Sequence, residues 1–436
     1  MIDFRFKDTA LVSEDELVMT SHRLFPYTER LKILSENGGY GEPEASLNLL
    51  FDGALLQSVR EASAKLRDPR LKYIVLVGIG GSNLGTEAIY DALLDRKKIC
   101  TPGNPGILFL DTVDSVRANA VCETLLECES AEEFVLLVVS KSGKTTETAA
   151  NAAFLYNTLS ERFSDLNARV ACITDEGSAL WKLAEEKNFL TLSIPKNVGG
   201  RYSVFSAVGL LPLSLAGIDI EKVLAGAKQI RKECLFSNAH NNPALLSAVV
   251  KYCQFKKGAR VHNLFLFDSS LAVFGSWWRQ LVGESLGKEF DLNSNPINDR
   301  ILPMVSLGST DLHSVGQLYL SGEKSIFTTF VSLEKKREEI PTLSDSSFTP
   351  LVPEIRGKDF SNIMEAILKG VKEAYRKRSL PFAEISLPEI SEENIGALFQ
   401  MEMLSTMYLA FLMNVNAFDQ PNVEEYKKIT REILEK

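Results

Sequence analysis

Short apolar runs that alternate with helix-like stretches constrain this chain more than any other feature. The runs at 73–77, 107–110, 134–139 and 170–173 are aliphatic or aromatic almost throughout, and a fifth follows at 189–194. A strand with no polar alternation must be covered on both faces, which points to a parallel sheet between helices. Each run is followed by a polar turn and most by a helical stretch, the alternation of a doubly wound sheet. A second set at 264–267, 302–306, 326–333 and 383–387 repeats the pattern. The expected fold class is therefore α/β, with two doubly wound parallel-sheet subdomains and helical segments at both termini. The expected divisions are a helical segment at 1–45, a first α/β subdomain at 46–196 and a second at 197–436. Residues 1–70 read as helical around a Gly-rich break at 37–43, and the first sheet should be complete near Asn197-Val-Gly-Gly-Arg201.

In open α/β sheets ligands sit beyond the carboxyl ends of the strands, so the loops after these runs should carry the chemistry. The loop Ser140-Lys-Ser-Gly-Lys-Thr-Thr-Glu-Thr148 follows the run 134–139 and opens a helix. Its hydroxyls would join the free N–H groups of a first helical turn, a ready anion site whose natural occupant is phosphate. Gly143-Lys144-Thr145 looks like the end of a nucleotide P-loop, but that pattern needs glycine where Val138 stands. A compact phosphomonoester fits better than a triphosphate. An ordinary capped helix start fits the same residues.

Gly78-Ile-Gly-Gly-Ser-Asn-Leu-Gly85 follows the first run and fails the dinucleotide fingerprint at Asn83. Gly80 and Gly81 would let a ligand approach the backbone, and Ser82 adds a hydroxyl; a structural tight turn explains the glycines equally well. Arg201, after paired glycines, could bind an anion or stabilise developing negative charge, or form a surface capping salt bridge. Glu284, after the Trp-rich stretch 277–281, could serve as a general base or be a solvated helix-end glutamate. His313, one of four histidines, follows a strand and a Ser/Thr/Asp turn, a suitable place for proton transfer, though a lone histidine is more often structural. Near the C-terminus an Asp419-Gln420-Pro421 turn follows the helical stretch 401–413 and starts a last helix, on which Lys427 and Lys428 read locally as solvated ends.

A net charge of -9 argues against a general nucleic-acid surface, so an anionic substrate must be drawn in by a local basic site. Six scattered cysteines without a Cys-x-x-Cys pair suggest a reducing compartment, and Cys172 reads as a small core residue. The first residues show no apolar signal region and no segment approaches membrane-spanning length, so a cytoplasmic protein without membrane or nucleic-acid partners is expected. Nothing in the spacing suggests a metal site.

Taken in order, the segments Gly-Ile-Gly-Gly-Ser, Ser-Lys-Ser-Gly-Lys-Thr-Thr-Glu-Thr, Val-Gly-Gly-Arg-Tyr-Ser, Gly-Glu-Ser-x-Gly-Lys and Asn-x-Phe-Asp-Gln-Pro-x-Val-Glu-x-Tyr-Lys resemble the phosphoglucose isomerase (glucose-6-phosphate isomerase) family from about residue 40 onward. The resemblance implies two SIS-type, flavodoxin-like subdomains and a homodimer with sites at the interface. It implies that Gly81, Ser82, Ser140, Ser142 and Thr145 surround the phosphate, with Lys141 near it. Glu147 and Gln280 would line the sugar pocket, with Gln420 at its far wall. Glu284 would move a proton between C1 and C2, and Arg201 would stabilise the enediolate. His313, reaching in from the other subunit, and Lys427 rather than Lys428 would open the sugar ring. Asn422 departs from a glycine common in the family. The reaction implied is reversible isomerisation of D-glucose 6-phosphate and D-fructose 6-phosphate, in glycolysis and gluconeogenesis, without metal or cofactor. Its rivals are another sugar-phosphate isomerase on the same fold, a non-catalytic SIS-type sensor, and a nucleotide-binding enzyme; Val138 and Asn83 oppose the last.

Overall fold

The structure is a computed structural model that describes residues 2–94, 100–322, 324–335, 342–344 and 347–436. The chain begins with β1 (Asp3–Arg5), α1 (Glu14–Asn37) and α2 (Gly53–Leu66). It continues through β2 (Tyr73–Val77), α3 (Leu84–Leu93), β3 (Gly106–Leu110), α4 (Ser115–Leu126), β4 (Phe134–Val139), α5 (Thr146–Ser160), β5 (Val170–Thr174), α6 (Ala179–Lys187) and β6 (Leu190–Ser193). Then come α7 (Ala207–Leu215), α8 (Ile220–Glu233), α9 (Pro243–Lys256), β7 (Val261–Leu266), α10 (Ala272–Leu286), β8 (Leu302–Leu307), α11 (Gly316–Leu320) and β9 (Ile326–Leu333). The last elements are α12 (Phe360–Lys377), β10 (Phe382–Leu387), α13 (Glu392–Leu412) and α14 (Val423–Leu434).

Contacts gather these elements into two compact units, Arg30–Lys228 and Met1–Glu29 with Gln229–Lys436. The bounds differ from the divisions at 45/46 and 196/197: residues 30–45 and 197–228 belong to the unit of the first sheet. Arg30 holds Glu44 at 3.1 Å, and α7 is tied to α2 by a 3.0 Å bond between the Ser63 and Ser214 hydroxyls.

In the Arg30–Lys228 unit the strand order is β3-β2-β4-β5-β6, parallel throughout. One sheet face carries Val75, Val77, Leu136, Val138, Val170 and Cys172 against α4, α5 and α6. The other is covered by α7, whose residues are almost all buried, together with α2 and α3. β4 is buried at every position, as its lack of alternation requires. Helix ends are fixed locally: Asp114 and Ser178 accept N–H bonds at the starts of α4 and α6.

In the other unit the order is β1-β10-β9-β7-β8. Four strands are parallel, and β1 adds to the edge antiparallel to β10. This strand corrects the helical reading of the first residues; a three-residue edge strand leaves no periodicity to read. Phe265, Phe330 and Phe382 form one face's core with Leu368, Val371 and Tyr375 of α12. Buried α9, α10 and α13 form a helical layer in the same unit. Contrary to the expectation that no segment approaches membrane-spanning length, α13, alone among the described residues, is long and apolar enough to do so; it is a core helix, 94% buried over its most apolar stretch.

Candidate functional site

The predicted phosphate loop lies where the crossovers of the first sheet diverge. The chain leaves β2 toward β3 on one side and returns to β4 on the other, so the loops after β2 and β4 meet at a switch point. After β4 the chain makes a tight turn in which Gly143 takes φ +67° and donates its N–H to the Ser140 carbonyl at 3.1 Å. A side chain at Gly143 would come within 2.7 Å of the Leu180 nitrogen, so glycine is required. The turn delivers the chain to α5 with Thr145 as N-cap, whose own side chain makes no capping bond to the first-turn N–H groups. The Ser140 and Thr145 hydroxyls lie 2.9 Å apart at this helix start, Ser140 itself being buried. Ser142 is exposed and Glu147 half-buried in the first turn. Fifteen residues of aligned peptide dipoles and an uncapped first turn make an anion site of the kind expected.

Gly81 is bound up with the same corner in a different way from the one its bareness suggested. Its open side is occupied by the turn Gly200–Tyr202: an added Cβ would lie 2.1 Å from the Gly200 carbonyl carbon and 2.5 Å from the Arg201 nitrogen. Ser203 donates to the Gly200 and Gly81 carbonyls at 2.7 and 3.2 Å, stapling the two turns together. Ser82 stands half-buried beside them. Arg201 is 1% exposed, which excludes the surface salt bridge, and its guanidinium lies 5.5 Å from the Tyr202 ring centroid.

Lys141 acts as a clip. Its ammonium donates to the carbonyls of Lys196 and Val198, the latter at 2.9 Å, and so holds the segment leading to Arg201 against the phosphate loop. Burial lowers its pKa from the usual lysine value, with Asp175 opposing the shift. Burial conversely raises Asp175, against the pull of Lys141 and Lys196.

The remaining predicted residues belong to the unit of the second sheet. Glu284 is not beyond the Trp-rich helix but in the last turns of it, since α10 runs to Leu286. It is half-buried and accepts a 2.9 Å bond from Gln280 one turn earlier, which fixes the carboxylate. Gln280's own carbonyl oxygen is buried and has no hydrogen-bond partner among the described residues. His313 is exposed after the turn Thr310–Leu312 that follows β8. Gln420 is exposed in the turn before α14, and Lys427 is half-buried with Glu424 at 2.8 Å, which lowers the Glu424 pKa.

Sequence reasoning missed a clamp between two of these segments. Lys288, almost fully buried, pairs with Asp419 at 2.9 Å and also donates to its carbonyl, drawing the turn that carries Gln420 to the end of α10. Asn422 adds a 2.9 Å bond to Glu289. Both Lys288 and Asp419 lie inside segments already singled out, but nothing in the sequence pairs residues so far apart. Among the described residues no group of three or more His, Cys, Asp or Glu side chains is placed to hold a metal.

Four parallel strands of like order thus recur in both sheets, and the first sheet carries an anion-ready loop at its switch point. Two solved structures share the fold. A hypothetical protein of Thermus thermophilus superposes over 100% of both chains with a TM-score of 0.86 at 28% identity. A glucose-6-phosphate isomerase from Chlamydia trachomatis does so over 99% of this chain and 88% of its own, with a TM-score of 0.81 at 20% identity. The phosphoglucose isomerase family model matches residues 57–436, and this chain belongs to that family, hence to the aldose–ketose isomerases. The glucose-6-phosphate isomerase of Methanocaldococcus jannaschii is 36% identical over 358 residues, 82% of each chain. That of Clostridium tetani is 32% identical over 408 residues, 92% of this chain and 89% of its own.

Proposed function

We propose that this protein interconverts D-glucose 6-phosphate and D-fructose 6-phosphate through a cis-enediol(ate), with Glu284 as the base. The observation that carries the reading is the presence in one chain of an uncapped, hydroxyl-rich helix start and a carboxylate fixed by its neighbour Gln280. Ser82, Ser140, Ser142 and Thr145, with the first N–H groups of α5, hold the phosphate, Gly81 shaping the turn beside them. Lys141 positions the Arg201 segment rather than reaching for the anion, consistent with its bonds to two carbonyls.

With the ring open, the Glu284 carboxylate takes the proton from C2 while the electron pair moves into a C1–C2 double bond and the C1 carbonyl oxygen gains negative charge. Arg201 stabilises that oxygen. The O2 hydroxyl proton passes to O1 as the C2 carbonyl forms, and Glu284 returns its proton to C1, leaving the ketose; the reverse sequence regenerates the aldose. One base suffices for both transfers, so no atom is gained or lost. Glu147, Gln280 and Gln420 line the sugar, and His313 and Lys427 assist ring opening. The exposure of His313 supports its donation to a second subunit of a homodimer. The enzyme would work in the cytoplasm within glycolysis and gluconeogenesis, with a sugar phosphate as its partner and no cofactor.

The test is proton NMR of the purified protein with glucose 6-phosphate in deuterated water. Fructose 6-phosphate should form, and deuterium should appear at C2 of the returning aldose. Binding without conversion would leave a sugar-phosphate sensor, and absence of binding would overturn the phosphate-loop assignment.

A further inference from the structure

The second sheet has a switch point of its own. Its order β8-β7-β9-β10 repeats β3-β2-β4-β5, so β7 and β9 stand where β2 and β4 stand in the first sheet. Beyond their carboxyl ends opens a cavity of 670 Å³, within the range of pockets that enclose small molecules. Its floor is built from polar groups paired with one another. Glu384 accepts from the Ser332 hydroxyl at 2.7 Å and from the Lys372 ammonium at 2.8 Å. Glu334 accepts from the Ser386 hydroxyl at 3.2 Å and from Arg5 at 2.5 Å. Glu384, Ser332 and Ser386 are each more than nine-tenths buried. Phe267 and Phe360 contribute aromatic wall, and Ser269 and Ser361 add hydroxyls.

The charges at this cavity decide what it can take. The lining cations Arg5, Lys335, Lys369 and Lys372 are paired with Glu334, Glu389, Glu365 and Glu384 respectively. A phosphate would have to break such pairs and sit among carboxylates. A ring with hydroxyls that both donate and accept can bridge carboxylate, ammonium and serine groups without unpairing any, while an aromatic face covers its C–H surface. We propose that this crevice is a second ligand site, for a neutral polyhydroxylated carbohydrate: a mono- or disaccharide without phosphate. The site lies wholly in the unit of the second sheet and does not depend on the isomerase reading.

Saturation-transfer difference NMR on the full chain, with glucose and maltose as probes, tests the site. Transfer is expected for the wild type and for Ser140→Ala, which alters only the phosphate loop. Phe360→Ala and Ser361→Trp, the first removing the aromatic wall and the second filling the cavity, should each weaken sugar binding about tenfold. Both should keep the wild-type thermal melt and isomerase rate, and inorganic phosphate should not displace the sugar. No transfer to the wild type, transfer undiminished by both cavity variants, transfer lost in Ser140→Ala, or displacement by inorganic phosphate would each overturn the proposal. A wild type that binds the sugar but does not interconvert glucose 6-phosphate and fructose 6-phosphate would count against the proposed reaction alone.

Discussion

At the scale of single residues, the chain separates groups that do chemistry from groups that hold them. Glu284 is the test of the first kind. Glu284→Gln keeps the shape and the bond to Gln280 but cannot accept the C2 proton. We expect kcat to fall about 10³-fold, with KM changed little, in a coupled assay of fructose 6-phosphate conversion. A variant with near wild-type kcat would remove the proposed base. Gly81 tests the second kind. A methyl at 2.1 Å from the Gly200 carbonyl carbon meets backbone, which cannot rotate away. Gly81→Ala should therefore cost about 2–3 kcal/mol in a denaturant melt and raise KM by parting the two stapled turns. The sequence made Gly81 visible as a glycine that something must approach; that the something is Gly200 was not legible, since it depends on a contact across more than a hundred residues. Arg201 was legible as a candidate, while its complete burial was not. Lys141 is the sharpest case: the resemblance placed it near the phosphate, yet its ammonium serves two carbonyls.

At the scale of elements, legibility follows the physical signal. The strands β2, β4 and β5 could be read to within a residue because burial on both faces leaves an uninterrupted apolar run. β1 could not, since Asp3–Arg5 pairs only at an edge. The end of α10 was misplaced because Gly283 looks like a stop signal, whereas the helix continues through it to Leu286. The helical layer of the same unit holds a buried ion pair that no local pattern announces. Lys251 of α9 and Glu402 of α13 lie 3.1 Å apart, 4% and 0% exposed, and Trp278 of α10 donates to the same carboxylate oxygen at 2.9 Å. Lys251→Met would leave a buried carboxylate supported by one indole N–H, and should destabilise the protein by about 3–5 kcal/mol in urea. The double variant Lys251→Met with Glu402→Gln removes both charges and should recover much of that loss. If the single variant is as stable as the wild type, the pair does not tie α9 to α13 as described.

At the scale of the whole molecule, the same strand order appears twice, yet the two switch points differ. The first sheet carries a glycine-rich corner and an uncapped helix start there, whereas α12, the helix after β9 in the second, begins with Asp359 and Asn362 capping each other's backbone. The catalytic groups proposed for the second unit include His313, which is exposed. The proposed homodimer makes its donation to the other subunit testable without any structure of the assembly. In a Glu284→Gln homodimer every site lacks the base; in a His313→Ala homodimer every site lacks the imidazole. If each site combines Glu284 of one subunit with His313 of the other, a mixed dimer has one site with both defects and one with neither. Unfolding the two inactive variants together in equal amounts and refolding them should then restore roughly a quarter of wild-type activity, since half the dimers are mixed and each has one intact site. If His313 served its own subunit, every site in the mixed dimer would carry one defect and no activity would return. Restoration would establish the dimer and the donated histidine together, whereas a mixture no more active than its components, with subunit exchange verified by mass, would confine His313 to its own chain.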